Sequence, residues 1–160
     1  MQVKITQQSG IHFEATTSRG VKFDLKPKEH ISPLEYFAIG LISCSGTDIV
    51  MLPEKQGRAV KNLEVTGDLE RTDQAPYRFT DIHLTYRFDS DGSDLDARRW
   101  VLSSLESYCT TVNTVRGVAK VFYTIIHNGV CIADRESIVS GETGSLGLAA
   151  DAMGGDACPG

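Results

Sequence analysis

The segment that most constrains the fold is residues 32–52, SPLEYFAIGLISCSGTDIVML, because it predicts one long helix. Its first residue is the predicted N-cap, Pro33 takes the first helical position and Glu35 the third, which is the spacing of a capping box. The apolar residues that follow leave no wide polar face, so we expect a helix that is buried on nearly all sides. It should weaken near Pro53 and end by Gly57, because proline lacks the backbone donor that a helix needs.

The rest of the chain has the patterns of strands and of one further helix. Alternating apolar positions predict short strands before the long helix and longer strands after it. The predicted strands cover residues 3–6, 11–16, 21–25, 63–71, 78–88, 119–127 and 130–133. A second helix is predicted over 95–107, with Leu95, Trp100, Val101, Leu102 and Leu105 on its buried side, and a short helix after it up to 115. This order predicts an α+β fold in which helices pack on antiparallel sheet.

The length of 160 residues predicts one domain with a substantial core. We assign this domain to residues 1–140. Beyond residue 140 the sequence becomes rich in Gly and Ala and loses its periodicity, so residues 141–160 are predicted to be a flexible tail.

The charge balance and the N-terminus restrict the function classes. The net charge is −5 and there is no Lys/Arg run, which argues against nucleic-acid binding. No basic and apolar leader opens the chain, and the long helix carries Asp48, so we predict a cytoplasmic protein with no membrane span. The four cysteines form no C-x-x-C pair and do not cluster with histidines, so neither a metal site nor a cofactor is predicted.

Two cysteines occupy comparable places, Cys44 inside the long helix and Cys109 at the end of the second helix. A thiol peroxidase needs one thiolate that attacks the peroxide and a second thiol that traps the sulfenic acid as a disulfide. A buried cysteine is also an ordinary core residue. The residues alone leave both interpretations open.

Three motifs resemble the OsmC/Ohr family, and most closely its OsmC-like branch. The helix with its Ser-Pro-x-Glu start and Cys-x-x-x-Asp centre is similar to the first cysteine helix of that branch. Residues 71–84, through Pro76 and Phe79 to Ile82 and Leu84, are similar to its strand-turn-strand segment. Residues 106–110, ESYCT, resemble its second cysteine motif. The similarity extends from about residue 2 to residue 127.

This resemblance implies an intertwined homodimer of α+β protomers, in which antiparallel sheets wrap around long central helices and the two-cysteine site lies at the subunit interface. It also implies reduction of organic hydroperoxides to alcohols. Cys44 would be the peroxidatic thiol and Cys109 the resolving thiol. A dithiol such as a lipoylated or thioredoxin-like protein would regenerate the enzyme.

The resemblance also assigns two further residues. In the hydroperoxide-reducing branches an arginine from the N-terminal strands holds the thiolate, and a glutamate on the first helix orients that arginine. Arg19 and Glu35 are the candidates here, although a solvated turn arginine and a capping glutamate explain them equally well. The family glutamate usually stands one position earlier, where this chain has Leu34. A second hypothesis is therefore a non-catalytic or redox-sensing OsmC-like dimer with weak peroxidase activity.

Overall fold

The computed structural model describes residues 1–138, which form two compact units, residues 1–39 and the residues from 40 onward. Helix α1 (Pro33–Glu54) begins in the first range and ends in the second. The prediction of a single domain over 1–140 stays a prediction. The tail predicted for 141–160 lies outside the described residues.

The first unit contains a three-stranded antiparallel meander, as the alternating pattern predicts. Its strands are β1 (Lys4–Ser9), β2 (His12–Thr16) and β3 (Lys22–Leu25). The predicted capping box at the start of α1 is also confirmed. The Ser32 amide donates to the Glu35 carboxylate at 2.7 Å, and the Glu35 amide donates to Ser32 Oγ at 3.2 Å.

The second unit contains a four-stranded sheet in the order β4-β5-β6-β7. The strands are β4 (Val60–Arg71), β5 (Phe79–Ser90), β6 (Lys120–His127) and β7 (Val130–Ser137). The expectation of a purely antiparallel sheet is wrong at one position, because β5 and β6 pair in parallel. A long helical crossover joins these two strands and returns the chain to the end of the sheet at which β5 began, so β6 runs in the same direction. A short hairpin would instead make the second strand antiparallel to the first.

This crossover consists of α2 (Asp94–Ser103), a π-helical turn (Ser104–Tyr108) and α3 (Thr110–Val115). A capping box between Ser93 and Asp96 starts α2. The predicted helix over 95–107 therefore changes its hydrogen-bonding pattern at Ser104. Leu95, expected on the buried side, is 57% exposed, because it lies two residues before the buried Ala97 and therefore nearly on the opposite side of α2.

The core of the second unit lies between one face of this sheet, the crossover and α1. It includes Ile82, Leu84, Tyr86 and Phe88 from β5, Trp100, Val101, Leu102 and Leu105 from the crossover, and Leu41, Ile49 and Leu52 from α1. Helix α1 ends at Glu54, just after Pro53, as predicted.

The expectation that α1 is buried on nearly all sides is wrong for the single chain. Leu34, Phe37, Ile39 and Val50 are each between 41% and 48% exposed. One sheet and one crossover cover a single face of a helix, so apolar residues on the remaining faces stay accessible.

Among the described residues, α1 is the one helix long and apolar enough to span a membrane by length and composition. The core helix of a soluble protein has the same length and composition. Asp48, in the middle of α1, is 3% exposed, and its carboxylate accepts a hydrogen bond from Ser104, which is typical of a helix packed in a protein core.

Candidate two-cysteine site

The second unit brings the two predicted cysteines together. Cys44 lies in the middle of α1 and Cys109 lies between the π-helical turn and α3, and their side chains are hydrogen-bonded to each other. Cys44 is partly accessible, whereas Cys109 is completely buried. The two residues are 65 positions apart in sequence (109 minus 44), so only the tertiary fold creates this contact.

The backbone around Cys109 explains how its thiol is held. Its amide donates to the Ser104 carbonyl at 2.9 Å, which closes the π-helical turn. Its backbone is extended, with φ −71° and ψ 101°, and its carbonyl accepts from the backbone amide and the side-chain amide of Asn113, both at 2.9 Å. A π-helical turn inside a helical segment is frequent at functional sites.

The environment of Cys44 favours its thiolate. Partial burial raises the pKa of Cys44, and the nearby carboxylate of Asp48 also raises it. Hydrogen bonds from the backbone and side chain of Thr111 and from the Cys109 thiol outweigh both effects, so the pKa of Cys44 lies below its ordinary value. The thiolate is the nucleophilic form of cysteine, so this residue is the more reactive of the two.

The environment of Cys109 favours its neutral thiol. Burial, together with the hydrogen bond to Cys44 and the charge of the Cys44 thiolate, raises the pKa of Cys109 to about 12, although hydrogen bonds from Thr111 and Val112 lower it in part. The site therefore holds one thiol prepared for attack beside a second thiol that keeps its proton.

A buried chain of hydroxyl groups lies next to the cysteines. Ser104 Oγ donates to Asp48 Oδ2 at 2.7 Å, and Ser45 Oγ lies 3.1 Å from Ser104 Oγ. Because Ser104 uses its proton on the carboxylate, Ser45 must donate to Ser104, and Tyr86 must donate to the Ser45 oxygen that it contacts. This chain joins α1 and β5 to the π-helical turn. It also gives the buried Asp48 carboxylate a hydrogen-bond donor.

Arg19 and Glu35 lie in the first unit, and both are exposed. Arg19 is in the turn between β2 and β3. Glu35 is engaged in the capping box, where the hydrogen bonds from Ser32 lower the pKa of its carboxyl group. Their roles at Cys44 stay predictions.

Sequence reasoning missed Thr111, Ser104 and Tyr86 as neighbours of the cysteines. A hydroxyl residue two positions after Cys109 and a serine five positions before it gave no local signal. They reach the site only because the π-helical turn folds this segment onto α1.

The other cysteines do not extend this site within residues 1–138. Cys131 is an exposed residue of β7, and its thiol donates to the Ala133 carbonyl at 3.3 Å. Cys158 lies outside the described residues. In that described part of the chain, no group of three or more His, Cys, Asp or Glu side chains is placed to hold a metal ion.

The sequence profile of a protein family described as OsmC-like protein matches residues 26–123, which include both cysteines and most of the second unit. The chain belongs to the OsmC-like family. The family resemblance inferred from the three motifs is thereby confirmed. No curated protein matches the chain.

Solved structures of similar fold support the α+β architecture. An OsmC-like protein from Mycoplasma pneumoniae superposes with a TM-score of 0.68 at 17% identity, over 79% of this chain and 95% of that one. A hypothetical protein from Aquifex aeolicus VF5 has the same TM-score at 21% identity, over 79% and 96%. The organic hydroperoxide resistance protein OhrB of Bacillus subtilis superposes with a TM-score of 0.54 at 20% identity, over 78% and 98%.

Proposed function

We propose that this OsmC-like protein is a thiol-dependent peroxidase that reduces organic hydroperoxides to alcohols. The observation that carries the proposal is the hydrogen-bonded pair of Cys44 and Cys109, in which the pKa of Cys44 is lowered and that of Cys109 is raised. Family membership supports the peroxide-related role, since similar folds include a protein named for organic hydroperoxide resistance.

The first step is attack of the Cys44 thiolate on one oxygen of the hydroperoxide. A sulfur–oxygen bond forms, the O–O bond breaks, and the leaving alkoxide takes up a proton to become the alcohol. Cys44 becomes a sulfenic acid, oxidised by two electrons. Cys44 is suited to this step because it is the partly accessible thiol of the pair.

The second step is attack of the Cys109 sulfur on the Cys44 sulfenic acid. A disulfide forms, the sulfur–oxygen bond breaks, and the departing hydroxide takes the Cys109 proton and leaves as water. The neutral sulfenic acid no longer carries the thiolate charge that raises the pKa of Cys109. Oxidation of Cys44 therefore makes Cys109 more acidic at the moment when it must react.

An external dithiol completes the cycle. We propose a lipoylated or thioredoxin-like protein, which reduces the Cys44–Cys109 disulfide and becomes a disulfide itself. Within this proposal Arg19 holds the Cys44 thiolate and Glu35 orients Arg19.

The test is the reaction of the reduced protein with cumene hydroperoxide. We expect consumption of one peroxide and loss of two thiols per chain, with a Cys44–Cys109 disulfide found by peptide mapping. Cys44→Ser should abolish consumption, and Cys109→Ser should leave Cys44 as a sulfenic acid that dimedone traps. Cys131→Ser is the matched control, because that thiol lies on β7, outside the Cys44–Cys109 pair. Equal consumption by Cys44→Ser would overturn the proposal.

A second candidate is a redox-sensing dimer with weak peroxidase activity. It is favoured by Leu34, which stands where the family places a glutamate, and by the engagement of Glu35 in the capping box. This candidate predicts slow oxidation with little preference for cumene hydroperoxide over hydrogen peroxide. Rapid, selective turnover with a dithiol would exclude it.

We also propose that the active protein is a homodimer. The first unit alone exposes many apolar side chains, namely Val3, Ile5, Ile11, Val21, Phe23, Leu34, Phe37 and Ile39. It also contains an apolar groove of about 350 Å³, lined by Phe13, Phe23, Leu25 and Tyr36 among others. Exposed apolar surface of this extent is typical of a protein–protein interface. A second copy of the chain would cover it.

A further inference from the structure

We propose that Thr111 is the residue that positions the Cys44 sulfur and holds it as the thiolate that attacks the peroxide. This inference rests on the proposed peroxidase function. Nothing in the family motifs assigns a role to this position, which lies two residues after the second cysteine.

The position of Thr111 between the two cysteines is the first observation. Thr111 Oγ1 lies 3.2 Å from Cys109 Sγ and 3.4 Å from the Leu41 carbonyl, which is three residues before Cys44 on α1. The backbone amide and the hydroxyl of Thr111 are both hydrogen-bonded to Cys44. One residue of α3 therefore contacts both reactive thiols and the helix that carries the first of them.

The single proton of the Thr111 hydroxyl goes to a different acceptor in each charge state of Cys44. When Cys44 is a neutral thiol, the hydroxyl donates to the Leu41 carbonyl. When Cys44 is a thiolate, it is the stronger acceptor and the hydroxyl donates to the charged sulfur. The one proton of the Cys109 thiol is donated to the same sulfur, so the Cys44 thiolate accepts from both groups. The Thr111 hydroxyl thus stabilises charge on Cys44.

Thr111 acts against the other ionisable groups around Cys44. Asp48 on α1 raises the pKa of Cys44, and burial raises it as well. Cys109 donates a hydrogen bond that lowers it, and Tyr86 on β5 interacts electrostatically with the same thiolate. Thr111 contributes two of the three hydrogen bonds that lower the pKa, one from its amide and one from its hydroxyl.

The experiment measures the rate at which iodoacetamide alkylates Cys44 in the reduced full-length protein between pH 5 and 10, followed by peptide mass spectrometry. Thr111→Val removes the hydroxyl and keeps the amide and the side-chain shape. We expect the midpoint of the pH profile to rise by about one unit, which lowers the alkylation rate below the midpoint about tenfold. Thr111→Ser should restore the wild-type profile. Thr114→Val is the matched control, because the Thr114 hydroxyl on the same helix donates only to the Thr110 carbonyl.

An unchanged midpoint in Thr111→Val, or an equal shift in Thr114→Val, would overturn the inference. Circular dichroism of each variant verifies folding, and Thr111→Ala provides a second hydroxyl deletion if valine disturbs the fold. The alkylation profile needs no peroxide. A wild-type protein that consumes no cumene hydroperoxide overturns the proposed function, whereas the midpoint shift alone decides the role of Thr111.

Discussion

The two reactive thiols of this protein have the same residue type but differ in hydrogen bonding and in burial. Cys44 receives bonds from Thr111 and Cys109, whereas Cys109 is closed off from water. Both are cysteines on helical segments, yet the pKa of Cys44 is lowered and that of Cys109 is raised. The polarity of the proposed reaction, with Cys44 attacking and Cys109 resolving, follows from this difference.

The raised pKa of Cys109 predicts a loss of stability in alkaline solution. The unfolded thiol titrates at about 8.5 and the folded one near 12, so its stabilisation is complete below the unfolded value and is lost as pH rises toward the folded value. We expect the free energy of unfolding in urea to fall between pH 8.5 and 10. The fall should be shallower in Cys109→Ala, by up to about 1.4 kcal/mol per pH unit. Equal slopes in both proteins would contradict the assignment.

The direction of the buried hydroxyl chain predicts an order of mutational effects. Ser104→Ala removes the donor to the buried Asp48 carboxylate, so we expect a cost of about 2–3 kcal/mol in the free energy of unfolding. Tyr86→Phe removes only the last donor of the chain and should cost about 1 kcal/mol. Urea denaturation at pH 7 measures both values. A larger cost for Tyr86→Phe would show that the chain does not end on Asp48.

At the scale of elements, α1 lies close to β4 where glycine permits it. A Cβ added to Gly67 on β4 would lie 2.8 Å from Ile42 Cγ2 on α1, a distance that real Cβ contacts do not show. Ile42 is β-branched, so this methyl group cannot rotate away without moving the helix. Ile42 precedes Cys44 by two residues, and the close approach therefore fixes the depth of the cysteine helix over the sheet.

Two Gly→Ala substitutions should therefore have opposite effects. Gly67→Ala should destabilise the protein by about 1–3 kcal/mol, because the added methyl group overpacks the contact with Ile42. Gly46→Ala on α1 meets its nearest atom, Val65 Cγ2, at 3.4 Å, and should be neutral or stabilising by up to about 1 kcal/mol, because alanine favours helix. Thermal or urea unfolding measures both.

The double variant Gly67→Ala/Ile42→Ala tests the cause. Ile42→Ala removes the Cγ2 methyl group together with the rest of the side chain beyond Cβ, so the Gly67→Ala cost should be smaller than in the wild-type background. Additive costs would place the origin of the effect in β4 itself and not in its contact with α1.

At the scale of the whole molecule, the apolar surface of the first unit is the feature that a single chain leaves unexplained. Phe37 and Ile39 are exposed on α1 together with the apolar side chains of the meander. The sequence predicted a helix buried on nearly all sides, and the single chain buries one face. The proposed homodimer reconciles the two, since a second copy supplies the missing cover.

Light scattering coupled to size exclusion should give about twice the chain mass of 17.4 kDa at micromolar concentration. Phe37→Lys should shift the protein toward the monomer, because it places a charge in the apolar surface. Leu95→Lys is the matched control on α2, where the replaced leucine is similarly exposed. A wild-type protein with the mass of one chain, or an equal shift with Leu95→Lys, would contradict the proposed dimer surface.

The features that depend on residues close together in the chain could be predicted from the sequence. The capping box of α1, the alternating strands, the end of α1 at Pro53 and the position of Cys109 at a helix end are of this kind. The departures are Leu95, the change to π-helical bonding at Ser104 and the exposed faces of α1. Each depends on which distant residues pack against a given face. The hydrophobic pattern predicts that a face is buried but not which segment covers it.

The sequence by itself determined the family, the α+β order of elements and the two cysteines, because motifs and periodicity are local properties of the chain. Only the tertiary structure decided the parallel pairing of β5 with β6, the hydrogen bond between Cys44 and Cys109, and the place of Thr111 between them. These features require segments far apart in sequence to meet. The pKa of each thiol is set at that meeting, by the donors and the burial that the fold provides.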